Sequence, residues 1–151
     1  MSVHTGADLL DFPAAHVIEL AVQPADIDAY GHVNNAVYLT WLDRAAWSHS
    51  ARLGVPLEQC QALRRGMAAQ RIEIDYLRAA QRGDRIRAAT WIVNADGRLR
   101  AERRFQIIRL PDGTTLARAR VDYVCINLDS GRAARMPEIF ARAYVVTSAR
   151  S

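Results

Sequence analysis

Lysine is absent from this sequence: all 20 basic side chains are arginine, and the formal charge is +4. Such an excess favours anionic partners in general. It does not point to nucleic acid, because the arginines alternate through strand-like segments and accompany no recognition-helix or RNA-binding motif. A phosphate-bearing small molecule fits as well, and for most individual arginines a solvated sheet face is sufficient. Cysteine is scarce. Cys60 and Cys125 are far apart and build no disulfide framework, which suits a reducing compartment. No apolar run approaches the ~20 residues needed to span a bilayer. Met1 to Asp11 has neither a basic start nor an apolar stretch of signal-peptide type, so a cytoplasmic location is expected. Gly-rich phosphate loops and a serine nucleophile elbow are missing. The four histidines, at 4, 16, 32 and 49, make no metal spacing with the cysteines, so neither metal nor cofactor is expected.

What is present begins with length: 151 residues suffice for one domain with a real core. Residues 1–15 show no period and read as a loose arm. His16 to Gln23 is aliphatic and β-branched, ends at Pro24, and reads as a strand. A helix is expected over Asn35 to Leu53, its apolar face formed by Val37, Tyr38, Trp41, Leu42, Ala45, Ala46 and Leu53. Asn34 or Asn35 can cap it, and Gly54 and Pro56 stop it. Pro56 to Leu63 suits a short second helix.

From Met67 the period drops to two, through Ile72, Ile74 and Tyr76, then Ile86 to Ile92, Leu99 to Ile107 and Leu116 to Asn127. Arg103 interrupts the apolar set of its strand. Turn residues at 81–84, 94–97, 111–113 and 129–131 separate these runs. Pro137 to Ala143 suits a final helical turn. Short turns demand antiparallel neighbours, so the expectation is α+β: one long helix on a mostly antiparallel five-stranded sheet. One helix cannot cover a long sheet, which suggests burial against another subunit.

The chemistry concentrates between Asp26 and Tyr38. Thirteen residues hold carboxylates, an imidazole, two carboxamides and two phenols where a strand passes into the helix. Asp28 lies seven residues before Asn35. A loop of that length can hold a carboxylate near the helix N-terminus, where unpaired N–H groups and the positive dipole end favour developing negative charge. A carboxylate facing an oxyanion site is a workable pair for acyl transfer. Each residue also has a plain structural alternative: Asx turn for Asp28, helix cap for Asn34 or Asn35, turn glycine for Gly31, core histidine for His32. Asp26 reads as structural. Tyr38 and Trp41 suit either core or substrate contact.

The run Asp26-Ile27-Asp28-Ala29-Tyr30-Gly31-His32-Val33-Asn34-Asn35, then Tyr38 and Trp41, resembles the signature of hotdog-fold acyl-CoA thioesterases of the 4-hydroxybenzoyl-CoA type. The order of elements is similar over about residues 16–143. The resemblance implies catalysis by Asp28, with the backbone N–H near Asn35 polarising the thioester carbonyl. It places Gly31, His32, Asn34 and Tyr38 against the substrate. It also implies homodimers or homotetramers with sites at the dimer interface. Coenzyme A enters only as part of the substrate, its nucleotide on a basic rim for which Arg78, Arg82, Arg98, Arg100 and Arg132 are candidates. Some members carry histidine where this chain has Asn35, so no imidazole role transfers. A hotdog hydratase or dehydratase, and a binding module without catalysis, are the alternatives. The former has a different Asp–His spacing; the latter would bind acyl-CoA without releasing thiol.

Overall fold

The computed structural model describes residues 9–149. Strand β1 (His16–Ala21) is followed by a 3-10 turn at Pro24–Asp26 and helix α1 (Asn35–Arg52). Then come α2 (Leu57–Leu63), β2 (Arg65–Tyr76), β3 (Arg85–Ala95), β4 (Arg100–Leu110), β5 (Thr114–Asn127) and α3 (Glu138–Ala143). The five strands form one sheet in the order β1-β3-β4-β5-β2, with every pair antiparallel. This is the α+β hotdog arrangement that the resemblance implies, and the helix and strand limits fall within a few residues of those expected.

Helix α1 starts where Asn34 caps it: the Asn34 Oδ1 accepts from Ala36 N at 3.0 Å. It stops at Gly54, whose φ of +96° only glycine adopts cheaply. Its inner face buries Tyr38, Trp41, Leu42, Ala45 and Ala46, as the spacing requires, and continues through two polar residues, His49 and Ser50. Val37 and Leu53 sit at the margins of that face, half-buried.

The core divides in two. Near the start of α1, Tyr38, Trp41 and Leu42 pack on Ile86, Phe105, Ile107 and Val121. Beyond its end, Val55, Cys60, Ile92, Cys125, Met136 and Phe140 form a second cluster. Each large apolar side chain so buried contributes roughly 1.5–3 kcal/mol. Between the clusters runs a polar layer centred on Arg103.

Two expectations need correction. The residues at 81–84 look like a hairpin turn between β2 and β3, yet those strands lie at different places in the sheet. β2 is an edge strand beside β5, and β3 lies between β1 and β4. Residues 77–84 therefore form a crossover. It is held by Leu77 N and Arg78 N donating to Leu116 O, and by Val33 N donating to Ala80 O. Alternation reveals a strand's faces but not its partner, which is why the turn misled. The loose arm is also only partly outside the described residues. Residues 9–15 are docked on the outer face of the sheet. Asp11 pairs with Arg118 at 2.7 Å and its N–H donates to Gln106 Oε1, while Phe12 stacks on Trp91 at 5.7 Å.

Much of the arginine excess is accounted for on that outer face. Arg85 and Arg87 pair with Glu19, Arg104 with Glu102, and Arg120 with Asp122. Alternation along the strands has produced a charged, solvated surface of both signs.

Candidate active site

The loop from Asp26 to Asn34 closes on itself before α1 begins. Ile27 and Val33 form an antiparallel bridge, Asp28 N donates to His32 O at 2.8 Å, and Gly31 N donates to Asp28 O at 3.1 Å. Gly31 has φ +83°, the conformation that this reversal requires. Asp28 is the loop's keystone. Its Oδ1 accepts from Tyr30 N at 2.8 Å and His32 N at 3.3 Å. Its Oδ2 has no hydrogen-bond partner among the described residues. The Asx turn and the reactive carboxylate are therefore compatible: one oxygen orients the group and leaves the other available.

Asp26 takes the structural part expected of it. Its Oδ2 accepts from Gln23 N, and its carbonyl accepts from Asn34 N, both at 2.8 Å. Asn34 in turn satisfies Ala36 N through its side chain and Val37 N through its carbonyl. Of the first three N–H groups of α1, the Asn35 N–H is the one left unspent among the described residues. Asn35 is an exposed residue, and its N–H stands at the helix's positive dipole end. His32 is exposed and its ring makes no hydrogen bond among the described residues.

Tyr38, which the sequence suits to either core or substrate contact, packs in the core. It is 2% exposed, and its hydroxyl accepts from Ala80 N at 2.8 Å. Its ring packs on Trp41 at 4.9 Å and edge-on to Tyr76 at 5.1 Å. Burial raises its phenol's pKa. A side chain so enclosed supports the loop from beneath. Two supports escaped the sequence reading. Tyr76 donates its hydroxyl to Asn35 O at 2.9 Å and so ties the edge strand to the start of α1. The crossover, through Ala80, braces both Val33 and Tyr38. The aromatic end of the Ile72, Ile74, Tyr76 alternation was the available signal for the first; the second had none.

The loop thus gathers the half-buried Asp28 and the exposed Gly31, His32, Asn34 and Asn35, with Tyr30 at 87% exposure. Such a group can attack or deprotonate at one carboxylate oxygen and donate a hydrogen bond from a helix start. Among the described residues no three His, Cys, Asp or Glu side chains converge in a way that could hold a metal ion. No helix among them is long and apolar enough to cross a membrane.

The sequence profile of the thioesterase-like superfamily matches residues 22–144, and the chain belongs to that family. The long-chain acyl-CoA thioesterase FadM of Escherichia coli K12 is 28% identical over 116 residues, 76% of this chain and 86% of FadM. Among solved structures, a 1,4-dihydroxy-2-naphthoyl-CoA thioesterase from Synechocystis superposes with a TM-score of 0.77 at 24% identity, covering 86% of this chain and 95% of its own. A hypothetical protein from Staphylococcus aureus, solved in complex with CoA, gives 0.78 at 20% identity, covering 85% and 80%. These last two likenesses are of fold.

Proposed function

We propose that the chain hydrolyses an acyl-CoA thioester to the free acid and coenzyme A, with Asp28 and the first turn of α1 as its machinery. The observation that carries the reading is the division of labour at Asp28. One carboxylate oxygen is fixed by two backbone N–H groups and the other is free, in a loop that also leaves the Asn35 N–H unspent. Family membership and the thioesterase activity named for FadM support it.

In this mechanism the thioester carbonyl oxygen accepts from the Asn35 N–H. Negative charge grows on that oxygen as the carbonyl carbon becomes tetrahedral. A donor so placed contributes about 3 kcal/mol to the transition state. Two routes use the free Asp28 oxygen. As general base it takes a proton from water, the hydroxide adds to the carbonyl carbon, and the C–S bond breaks to release the thiolate. As nucleophile it adds directly, expels the thiolate and leaves an anhydride that water then opens. Single turnover in oxygen-18 water separates them: label in the Asp28 carboxylate arises only by the second route, when water opens the anhydride at the Asp28 carbonyl carbon. The Asn35 carboxamide cannot exchange a proton at neutral pH but can orient the water or the carbonyl.

Gly31, His32 and Asn34 frame the thioester. Of the five arginines proposed for the nucleotide rim, Arg78 and Arg82 are favoured. They flank Ala80, whose carbonyl holds Val33 in the site loop, and neither has a carboxylate partner among the described residues. We place a second copy of the chain on the long edge of β2, where Ile72 and Tyr76, with Leu77 just beyond the strand, are all more than two-fifths exposed. A homodimer, or a tetramer built from it, would cover the exposed site loop. Both cysteines are free and buried, which suits the cytoplasm.

The test is thiol release from a series of acyl-CoAs by wild type and Asp28→Asn. Equal rates for the two proteins would sink the role of Asp28. Loss of enoyl absorbance without thiol release would favour hydration. Binding without either would leave a sensing module.

A further inference from the structure

A second feature of α1 has no part in that machinery. Between the two core clusters lies a cavity of about 140 Å³ lined by Asp43, Trp47, Ser50, Arg103, Tyr123 and Tyr144 among others. Its polar centre is Arg103, which is only 3% exposed. A guanidinium taken that far from water needs compensation, normally a carboxylate. Arg103 has none within ion-pair distance among the described residues. Its Nη1 donates to His49 Nδ1 at 2.6 Å and its Nη2 to Ser50 Oγ at 2.8 Å. The rings of Tyr123 and Tyr144 lie 6.0 and 5.8 Å from its central carbon. Arginine cannot accept, so His49 accepts through Nδ1 and is neutral. Burial holds its pKa down, to about 3. Every bonded partner is thus uncharged. The fold orients the guanidinium without neutralising it and lines a cavity with it. The carboxylate nearest in the lining, Asp43, lies at the exposed mouth, makes no ion pair among the described residues, and has its pKa raised by partial burial.

The cavity is connected to the site loop by α1 itself. Asn35, Leu39, Asp43 and Trp47 fall on one stripe at four-residue spacing. Leu39 and Trp47 are 37% and 42% exposed, an apolar track between the helix start and the cavity. Along the helix axis Asp43 lies about 12 Å and Trp47 about 18 Å from Asn35. The edge strand runs the same way: Tyr76 meets Asn35 at one end, and Met67 lines the cavity at the other.

We propose that this cavity is the far end of the acyl site and takes an acyl group whose distal end is a carboxylate, paired with Arg103. The inference rests on the reading of the chain as an acyl-CoA hydrolase and names the substrate class: thioesters of dicarboxylic acids, with one carboxyl as the thioester and the other free. Trp47 and Leu39 would contact the intervening apolar segment.

The test uses non-hydrolysable thioether analogues of acyl-CoA, matched in length and ending in carboxylate, hydroxyl or methyl. Binding is measured by titration calorimetry on the intact protein over several lengths. A charge-assisted pair in a buried site should favour the carboxylate over the methyl end by about tenfold or more. Arg103→Met should bring that ratio near one. Asp43→Asn, which removes a like charge at the mouth, should increase it. A wild-type ratio of one or below, or equal binding of hydroxyl and carboxylate ends, overturns the proposal, as does an unchanged ratio in Arg103→Met. If Arg103→Met does not fold, the Asp43→Asn ratio decides, and no increase overturns it. Thiol release from the corresponding thioesters is read separately. Tight binding of the carboxylate analogue without thiol release would sink hydrolysis and leave the pocket's preference standing.

Discussion

The Asp26–Asn34 loop and the layer around Arg103 are both polar clusters attached to α1, and they are satisfied in opposite ways. The loop is exposed, and its carboxylates and carboxamide bond backbone N–H groups two to four residues away. The layer is buried, and its bonds join side chains 53, 54 and 94 residues apart. A locally bonded loop can form as soon as its own turn forms and can keep an atom free for a substrate. A buried layer exists only once helix, sheet and C-terminal segment have packed, so any charge within it is a term in folding. The difference predicts that chemistry and stability separate along α1: the loop should govern the rate of the chemical step, the layer stability and the choice of acyl group.

The largest expected effect breaks that comparison most directly. Asp28→Asn keeps the Oδ1 that accepts from Tyr30 N and His32 N, and removes only the charge and basicity of the group. Thiol release should fall by about 10²- to 10⁴-fold, while stability changes by no more than ~0.5 kcal/mol, as for a surface substitution that spares its hydrogen bonds. Steady-state rates and urea melts on the same preparations check both halves. A large loss of stability would make Asp28 a structural residue first.

His49 gives the opposite result. Burial chiefly, helped by the charge of Arg103, lowers its pKa from the usual 6.5 to about 3. The unfolded chain therefore binds a proton that the folded chain refuses. The stabilisation is complete above pH 6.5 and is lost as pH falls toward about 3, by about 1.4 kcal/mol for each unit of pH. His16, stacked on His49 at 5.1 Å and also lowered by burial, adds to the slope in the same direction. In His49→Asn the Oδ1 replaces the ring acceptor and nothing titrates, so urea stability measured between about pH 7 and pH 5 should fall less steeply than in wild type. Parallel slopes would show that His49 takes up its proton equally in the folded and the unfolded chain, and that Arg103 is held otherwise.

This contrast also explains what could be read in advance. Asp28, Gly31, Asn34 and Asn35 were legible because an Asx turn, a positive φ and a helix cap are properties of a few consecutive residues. The helix face and the alternation of β3 to β5 were legible because burial repeats with the local period. The partner of β2 was not, since edge and centre positions share one alternation. Nor was the role of Tyr38, whose spacing from the loop suits a substrate contact as well as a core ring; the Ala80 N–H that claims its hydroxyl is 42 residues away. Arg103 did leave a trace, as the one charge in the apolar set of its strand. A broken alternation says that something polar is buried, and only the packed structure shows that His49 and Ser50 receive it.

Tyr38 is the buried neighbour of the loop, and Tyr38→Phe tests whether burial alone ties a residue to stability. The substitution keeps the ring contacts with Trp41 and Tyr76 and leaves the buried Ala80 N–H without its acceptor. The cost in urea melts should be about 1–3 kcal/mol. Because Ala80 O also holds Val33 N, the loop loosens with the crossover, and kcat should fall several-fold, well short of the Asp28→Asn loss. Full activity with reduced stability would assign Tyr38 to the core alone.

The smallest effect concerns the cap. Asn34→Ala frees the Ala36 N–H at the same helix start that carries the Asn35 N–H. The loss should be about 1 kcal/mol of stability. Asn34→Asp restores an acceptor and places a negative charge at the positive end of α1, so it should recover stability in full. That charge would also stand beside the developing oxyanion and oppose it. If the Asn35 N–H is the oxyanion donor, Asn34→Asp should therefore be as stable as wild type and slower than it, whereas Asn34→Ala should be less stable and closer to it in rate. Restoration of both stability and rate in Asn34→Asp would move the oxyanion site away from the start of α1.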